Sequence, residues 1–227
     1  LYTIPTFHNP ASITLSAPRR ERLVQLGQEH NLLIVADEVY HLLAYDTTPP
    51  EPLANYTDAG TIFSIGSFSK ILAPGLRLGW IQANQDLLRR LVKSGLLESG
   101  GGLNPFTSKL VQSALELGLQ LDHLNNLKTV YGKRMSFLSD ALRRHLGSSA
   151  SFSEPNGGFF IWLRLPEQID AEALLSEARQ HNVGFQPGIK FSSRQNHKNY
   201  IRLCFSFYDT PELETAAGRL ADVLGNH

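Results

Sequence analysis

An uninterrupted run of apolar residues restricts the fold of this chain more than any other feature. The run is Leu32-Leu33-Ile34-Val35-Ala36, whereas a strand with one face in water would alternate apolar and polar residues. A continuous run is typical of a strand that is buried on both faces of a parallel sheet, with helices packed against it. Residues 17–30, just before it, show a helical pattern that Ser16 can cap, with Arg and Glu on the outer face.

Further strand candidates alternate with helical segments in the first half of the chain. They are residues 1–6, 61–65 and 78–81, and prolines at positions 49, 50 and 52 mark a loop. Strands that alternate with helices predict an α/β fold, with a mostly parallel sheet and flanking helices. Ligand-binding residues in such sheets gather at the carboxyl ends of the strands. Polar residues that directly follow a strand are therefore the candidates for function.

The order of elements changes in the second half of the chain. Helical patterns and short strands occupy residues 84–97, 106–118, 122–146, 159–165, 171–181, 199–205 and 211–224. Gly100-Gly101-Gly102 is typical of a flexible connection. We therefore predict that residues 1–105 belong to a larger α/β domain, and that residues 106–227 form an interdomain helix and a smaller α+β domain.

The overall charge and the cysteine content argue against several classes of function. Lys plus Arg equals Asp plus Glu at 21 each, so no basic excess is present to bind nucleic acid or a membrane surface. Cys204 is the only cysteine, which excludes an internal disulfide and fits a reducing, cytoplasmic location. The eight histidines are scattered, without a pair at i and i+4, so we expect no metal site.

The block Ser67-Phe68-Ser69-Lys70, just past a predicted strand, carries the strongest chemical signal. Most lysines are solvated surface groups, but Lys70 follows small hydroxyl residues and Arg77 comes seven positions later. This combination suits a phosphorylated aldehyde, because the Lys70 amine can attack the aldehyde carbon. Ser67 and Ser69 can donate hydrogen bonds to phosphate oxygens, and Arg77 can bind the phosphate with its planar fork.

Asp37 directly follows the apolar strand, and Tyr40 comes three residues later. By itself the carboxylate could equally be a helix cap or a functional anion, and Tyr40 could be a core aromatic. Beside a lysine that binds pyridoxal 5′-phosphate (PLP), an ionised Asp37 would keep the pyridine nitrogen protonated and so make the ring an electron sink. The Tyr40 hydroxyl, which we expect on the same side of a following helical turn, could reach the phenolic oxygen of that cofactor.

Asn9 and Arg202, from opposite ends of the chain, complete the candidate set. Asn9 belongs to an Asn-Pro turn and could donate its amide to the same phenolic oxygen. Arg202 has apolar neighbours in a predicted strand, where an arginine is costly to bury unless it meets an anion. A substrate carboxylate is the candidate anion, and an internal salt bridge or an outward-facing position is the alternative. His8, beside Asn9, either lines the substrate pocket or packs in the turn.

Together these blocks resemble the class I and II aminotransferases of PLP fold type I. The blocks that match in order and spacing are Thr6-Phe7-His8-Asn9-Pro10, Ala36-Asp37-Glu38-Val39-Tyr40, Ser67-Phe68-Ser69-Lys70, Gly75-Leu76-Arg77-Leu78-Gly79-Trp80 and Asn199-Tyr200-Ile201-Arg202-Leu203. Residues 155–162 also resemble a strand entry of this family. The serine-rich lysine block and residues 100–106 are similar to the branch that contains 2-aminoadipate and kynurenine aminotransferases.

The resemblance implies transamination, by a ping-pong mechanism, between an α-amino acid and an oxo acid such as 2-oxoglutarate, with PLP as cofactor. The resemblance implies that Lys70 bonds covalently to PLP and transfers protons, and that Asp37 contacts the pyridinium. It implies that Asn9 and Tyr40 bind the phenolic oxygen of the cofactor, and that Asn9 and Arg202 bind the substrate. The residues implied to bind the phosphate are Ser67, Ser69 and Arg77. The family motif continues Asn-Pro-Thr-Gly, and Ala11-Ser12 stands here instead. That departure bears on the local turn and on some substrate-side contacts, but not on the Asn9 contact.

Family members are longer and begin earlier than this chain. We therefore expect it to be a C-terminal part that lacks the first part of the large domain, inactive by itself and a homodimer at full length. Three other interpretations stay open. They are a different PLP reaction such as β-elimination or decarboxylation, the effector-sensing domain of a transcription regulator, and a non-catalytic gene fragment. The intact candidate set argues against long decay of the last kind.

Overall fold

A computed structural model describes residues 1–98 and 103–225 of the chain. The described residues form two compact units: the first lies within Leu1–Thr6 and Ile13–Lys128, and the second lies within Phe7–Ser12 and Thr129–His227. The predicted connection at residues 100–102 lies outside the described residues. The domain boundary that the sequence suggests at residues 105 and 106 stays a prediction.

The first unit contains a four-stranded mixed sheet. Its strands are β1 (Tyr2–Thr3), β2 (Ile34–Asp37), β3 (Ile62–Ser67) and β4 (Gly79–Gln82), and they lie side by side in chain order. β1, β2 and β3 run parallel, and β4 pairs antiparallel with β3. The last three residues of the predicted apolar run, residues 34–36, lie in β2 as predicted, whereas Leu32 and Leu33 precede the strand and are exposed. The expected first strand is much shorter than residues 1–6, because only Tyr2 and Thr3 pair with β2.

The helices of the first unit follow the predicted positions closely. They are α1 (Ala17–Glu29), α2 (Phe68–Ile71), α3 (Gln85–Val92), α4 (Gly95–Glu98), α5 (Pro105–Glu116) and the start of α6 (Leu119–Leu146), and a 3₁₀ helix covers Leu53–Ala59. The predicted helix over residues 84–97 is thus two helices, α3 and α4. The hydrophobic core of this unit joins α1, the sheet and the 3₁₀ helix through Val24, Ile34, Ala36, Leu53 and Ile62.

α1 differs from the sequence prediction at two residues, Ser16 and Arg20. Ser16 stands at the N-cap position, but its side chain makes no capping hydrogen bond; Pro18 lies in the first turn instead, where its fixed φ favours helix initiation. The prediction of Arg and Glu on its outer face holds for Arg19 and Arg22 and for both glutamates, which are exposed, but not for Arg20, whose side chain has no exposed surface. Arg20 is held inside by a set of backbone oxygens that come from distant parts of the sequence.

A close approach between β3 and β4 fixes the segment that precedes Lys70. Gly66 is the register partner of Trp80, and a Cβ atom built on Gly66 would lie 2.0 Å from the Trp80 ring. Only glycine leaves room for the indole at this position. The Phe68 ring also contacts Trp80, with 4.8 Å between centroids. The indole therefore covers the junction at which β3 ends and α2 begins.

The second unit has the α+β architecture that the sequence predicts. Its three-stranded antiparallel sheet has the order β5 (Phe160–Arg164), β7 (Tyr200–Cys204), β6 (Gln186–Pro187). The sheet is accompanied by the remainder of α6, by α7 (Ala171–Gln180) and by α8 (Thr210–Gly225). The fully buried side chains include Leu142, Leu163, Ile201 and Leu220. None of the described helices, α6 included, combines the length and the apolar character needed to cross a membrane.

Candidate active site

The carboxyl edge of the first unit's sheet gathers most of the predicted site residues. β2 and β3 run parallel, and Asp37 is in register with Ile65, two residues before the end of β3 at Ser67. Both strands therefore end at the same edge of the sheet, which carries Asp37 and the segment that contains Lys70. Lys70 lies on α2, directly after β3, and its side chain is half-buried.

The carboxylate of Asp37 has an unusual set of contacts. The Tyr2 hydroxyl donates a hydrogen bond of 2.6 Å to Asp37 Oδ2. The other oxygen, Oδ1, is inaccessible to solvent and has no hydrogen-bond partner among the described residues. A buried carboxylate oxygen without a donor is energetically costly. Among the described residues, Oδ1 is therefore a buried acceptor that is available to a further donor.

Tyr2 is a site residue that the sequence does not reveal. Partial burial of the hydroxyl, and then its hydrogen bond to Asp37, raise the pKa of Tyr2, so the phenol remains a hydrogen-bond donor throughout the neutral range. Its position beside Asp37 follows from the pairing of β1 with β2, in which Tyr2 faces Val35. A strand of two residues carries no periodic signal from which that register could be read.

The residues predicted to hold phosphate lie together. Arg77 Nη1 donates hydrogen bonds of 3.1 Å to Ser69 Oγ and to the Pro74 carbonyl oxygen. Ser67 is the N-cap of α2, and its hydroxyl accepts a bond of 3.2 Å from the Ser69 amide. Arg77 is exposed and adopts a left-handed backbone conformation, with φ of 51°. The structure thus brings a guanidinium and a hydroxyl into contact immediately beside Lys70.

Tyr40 follows Asp37 within a pair of hydrogen-bonded turns rather than a helix. The His41 amide donates to the Glu38 carbonyl, and the Leu43 amide donates to the Tyr40 carbonyl. The Tyr40 side chain is only 5% exposed. Tyr40 is therefore buried in the same unit as Asp37, but the helical turn expected between the two residues is absent from this described segment.

A buried ion pair lies directly behind the end of β2. Arg20 Nη1 is 3.8 Å from Glu38 Oε1, and the two side chains are 0% and 4% exposed. Arg20 also donates to Thr6 Oγ1 and to the carbonyl oxygens of Pro5, Leu15 and Glu51, over 2.8–3.1 Å. Burial lowers the pKa of Arg20, and the charge of Glu38 acts in the opposite direction.

Glu38 ties the end of β2 to two other elements. Its Oε1 accepts from the Leu53 amide at 2.8 Å, and its Oε2 accepts from the Ala54 amide at 3.0 Å and from Ser64 Oγ at 2.7 Å. Leu53 and Ala54 begin the 3₁₀ helix, and Ser64 lies on β3. Glu38 therefore fixes the backbone position next to Asp37. Sequence reasoning missed this residue because an acidic side chain after a strand is usually solvated.

The two remaining site candidates meet in the second unit. Arg202 Nη1 donates a hydrogen bond of 2.7 Å to Asn9 Oδ1. The guanidinium carbon of Arg202 lies 4.1 Å from the centroid of the Phe160 ring and 4.9 Å from that of Phe191. Contacts with two aromatic faces restrict the rotation of a guanidinium and leave its in-plane donors oriented. Arg202 is thus a half-buried, preoriented cation on β7.

The turn that departs from the family motif is stabilised by other contacts. Ser12 has φ of 55°, a region that favours glycine. Its hydroxyl donates to the Phe160 carbonyl oxygen at 2.6 Å, and its amide donates to the His8 carbonyl at the same distance. His8 Nδ1 accepts a long bond of 3.5 Å from the Ala11 amide. Ser12 thus preserves the tight turn beside Asn9, and the contact of His8 with Ala11 lies within that turn.

Comparison with known proteins identifies relatives of the whole described chain. The sequence model of the family described as aminotransferase class I and II matches residues 3–220. The aromatic-amino-acid aminotransferase 1 of Thermococcus litoralis is 33% identical over 226 residues, which are 99% of this chain and 54% of that protein. The kynurenine aminotransferase of Pyrococcus horikoshii, crystallised in complex with PMP, gives a TM-score of 0.91 at 30% identity, over 99% of this chain and 55% of that one.

A relative of a different kind is similar to nearly the same residues. The uncharacterised HTH-type transcriptional regulator YdfD of Bacillus subtilis is 30% identical over 214 residues, which are 94% of this chain and 44% of that protein. In each comparison the chain spans about half the length of its relative.

Proposed function

This chain belongs to the class I and II aminotransferases, and we propose that the protein uses PLP to transfer the amino group of an α-amino acid to a 2-oxo acid. The family and its fold type I architecture agree with the sequence prediction. The observation that carries the proposal is the buried Oδ1 of Asp37, which has no partner among the described residues and lies at the strand edge shared with Lys70.

The side chains of the first unit fit PLP in chemistry and in order. Asp37 Oδ1 suits a donor such as a protonated ring nitrogen, and the contact between Arg77 and Ser69 suits a phosphate. Lys70 suits the aldehyde carbon. When bound, PLP supplies a carbonyl that bonds covalently to amines and a protonated ring that withdraws electrons.

Each of these side chains then has a distinct task. Asp37 keeps the ring nitrogen protonated, and Ser67 contributes its hydroxyl to the phosphate site beside Ser69 and Arg77. Tyr40 would donate a hydrogen bond to the phenolic oxygen, a role that the family resemblance also implies for Asn9. Lys70 Nζ removes the proton from Cα of the amino acid and returns it later in the reaction.

Arg202 is proposed to bind the α-carboxylate of the substrate. Its guanidinium lies over Phe160 and Phe191, so its planar set of donors is oriented before a carboxylate arrives. Asn9 accepts from Nη1 and is proposed to contact the substrate as well as the cofactor. A carboxylate bound to such a fork has one favoured orientation, which would place Cα for proton removal.

The choice of substrates follows from the relatives and is part of the proposal. We propose 2-oxoglutarate as an amino acceptor and a donor like those of the kynurenine and 2-aminoadipate branch, supported by the likeness to the Pyrococcus horikoshii enzyme. We also propose a cytoplasmic homodimer that contains no metal. No group of three potential metal-ligating side chains occurs within residues 1–98 and 103–225.

An effector-binding domain of a transcription regulator is the second candidate function. The similarity to YdfD, over 94% of the chain, favours it. In that case the same side chains would bind PLP without rapid turnover. The regulator hypothesis requires that the complete natural protein bind DNA, and the enzyme hypothesis does not.

Product formation distinguishes these functions. The complete natural protein is incubated with PLP and a panel of α-amino acids, with and without 2-oxoglutarate, and glutamate and the other products are measured. Transamination predicts glutamate only when 2-oxoglutarate is present. Asp37→Asn should lower kcat by about a hundredfold or more, while exposed Asp46→Asn should retain the wild-type rate. Release of carbon dioxide or ammonia without 2-oxoglutarate, or DNA binding without turnover, would contradict the proposal.

A further inference from the structure

The carboxylate of Asp37 is held on one side only. Within residues 1–98 and 103–225, Oδ2 accepts from the Tyr2 hydroxyl at 2.6 Å, and Oδ1 is buried without a hydrogen-bond partner. The side-chain torsion that rotates a carboxylate is broad and nearly two-fold, so it does not by itself distinguish the two oxygens. The Tyr2 hydrogen bond makes them different.

The two carboxylate oxygens of Asp37 remain different over the neutral pH range. The pKa of Tyr2 is raised by partial burial and by Asp37, so its phenol remains protonated and acts as the donor. Oδ2 is therefore already engaged, and Oδ1 is the oxygen left for a second donor. Tyr2 can do this because β1 pairs in parallel with β2, which places it on the strand adjacent to Asp37.

We propose that Tyr2 is a positioning residue that selects Asp37 Oδ1 for the ring nitrogen of PLP, an inference that rests on the proposed function. Tyr2 touches neither the reacting atoms nor the cofactor in this role. It acts through Asp37, by holding the carboxylate in one orientation. Without the phenol the carboxylate is free to rotate, and binding of the ring nitrogen then has to restrict that rotation.

Tyr2→Phe removes only the hydroxyl and tests the role directly. PLP is titrated into the complete natural protein, and the dissociation constant is measured by absorption and fluorescence. The same titration uses 1-deazapyridoxal 5′-phosphate, in which CH replaces the ring nitrogen. We expect about tenfold weaker binding of PLP and less than about a twofold change for the deaza analogue. The matched control is exposed Tyr208→Phe, whose ring contacts Phe207 and which should bind both compounds normally.

The pattern of losses separates positioning from a structural role. Equal weakening for PLP and the deaza analogue would mean that Tyr2 only stabilises the strand, and would overturn the inference. Unchanged PLP binding would overturn it as well. In an Asp37→Asn background, Tyr2→Phe should weaken PLP binding no further, and an additive loss would also contradict the inference.

Failure of the proposed function would look different from failure of this inference. If wild-type protein did not bind PLP at all, the proposed function would fail, and the role of Tyr2 with it. If wild-type protein bound PLP but Tyr2→Phe behaved like Tyr208→Phe, only the role of Tyr2 would fail.

Discussion

Replacement of Glu38 by glutamine is the sharpest test of the buried network behind Asp37. Glu38 accepts three hydrogen bonds, from Leu53, Ala54 and Ser64, and pairs with the fully buried Arg20. Glutamine has nearly the same volume but only one acceptor oxygen. In either orientation of the glutamine amide, its NH₂ group faces a backbone N–H that donates to Glu38 in the wild type, so that N–H loses its acceptor. The buried charge of Arg20 also loses its anionic partner.

The expected loss of stability can be estimated from these contacts. Breaking a buried ion pair by removing one partner costs about 3–5 kcal/mol, and the neutral amide recovers part of this through the acceptor that it keeps. We therefore expect Glu38→Gln to lower the free energy of unfolding by about 3 kcal/mol. Urea titration followed by far-UV circular dichroism measures the change as a lower midpoint at an unchanged slope.

A matched control tests whether the loss of stability depends on the burial of an ion pair or on the distance between its charges. Glu29 pairs with Arg22 at 2.9 Å, closer than the 3.8 Å of the buried pair, but these side chains are 51% and 56% exposed. Glu29→Gln should therefore change stability by less than about 1 kcal/mol. Equal losses for the two variants, or a larger loss for Glu29→Gln, would refute the view that the buried network stabilises the end of β2.

Three further predictions concern β3, the phosphate site and the response to pH. Gly66→Ala should lower the free energy of unfolding by about 2–3 kcal/mol in urea titrations, because Trp80 occupies the space of the new methyl group. The control is Gly184→Ala, which should have little effect because the space around Gly184 is open. Arg77→Ala should weaken binding of PLP by about tenfold or more. The affinity for pyridoxal, which lacks the phosphate, should be nearly unchanged. An equal loss of affinity for PLP and for pyridoxal would contradict the assignment of Arg77 to the phosphate. Burial lowers the pKa of His41 in the folded protein, so the unfolded protein binds a proton at this histidine more readily than the folded protein does. The contribution of His41 to stability should therefore be fully present above about pH 6.5 and should fall as the pH drops below that value. His41→Gln should make that fall shallower, and an unchanged slope would show that His41 does not cause it.

The sequence predicts the main elements and the site residues for clear physical reasons. The run that supplies β2 has no polar interruption, and Asp37 follows it at once, so both the strand and its functional end can be read directly. Lys70 is recognisable by the same reasoning, because it comes just after β3, and Arg77 is recognisable by its spacing of seven residues from Lys70. Because β2 and β3 are parallel, their ends, and with them Asp37 and the segment that carries Lys70, lie at one edge of the sheet.

The residues around this site could not be predicted in the same way. Arg20 looks like part of a solvated helix face, and it is buried only because backbone oxygens of Pro5, Leu15 and Glu51 converge on it. That convergence is a property of tertiary structure, which helical periodicity does not contain. Tyr2 is hidden for a related reason, because its contact with Asp37 depends on the register of a two-residue strand. At Ser12 the family motif has glycine, and the structure shows how serine replaces it, because the Ser12 hydroxyl supports the turn by a hydrogen bond.

The absorption spectrum of the complete natural protein with PLP tests the central claim most directly. Lys70→Ala is compared with wild type and with Lys93→Ala, which alters an exposed lysine at the end of α3. We predict that wild type and Lys93→Ala show the band of covalently bound cofactor near the edge of the visible range, and that Lys70→Ala lacks it. Persistence of that band in Lys70→Ala would show that another group binds PLP, and would contradict the assignment of Lys70.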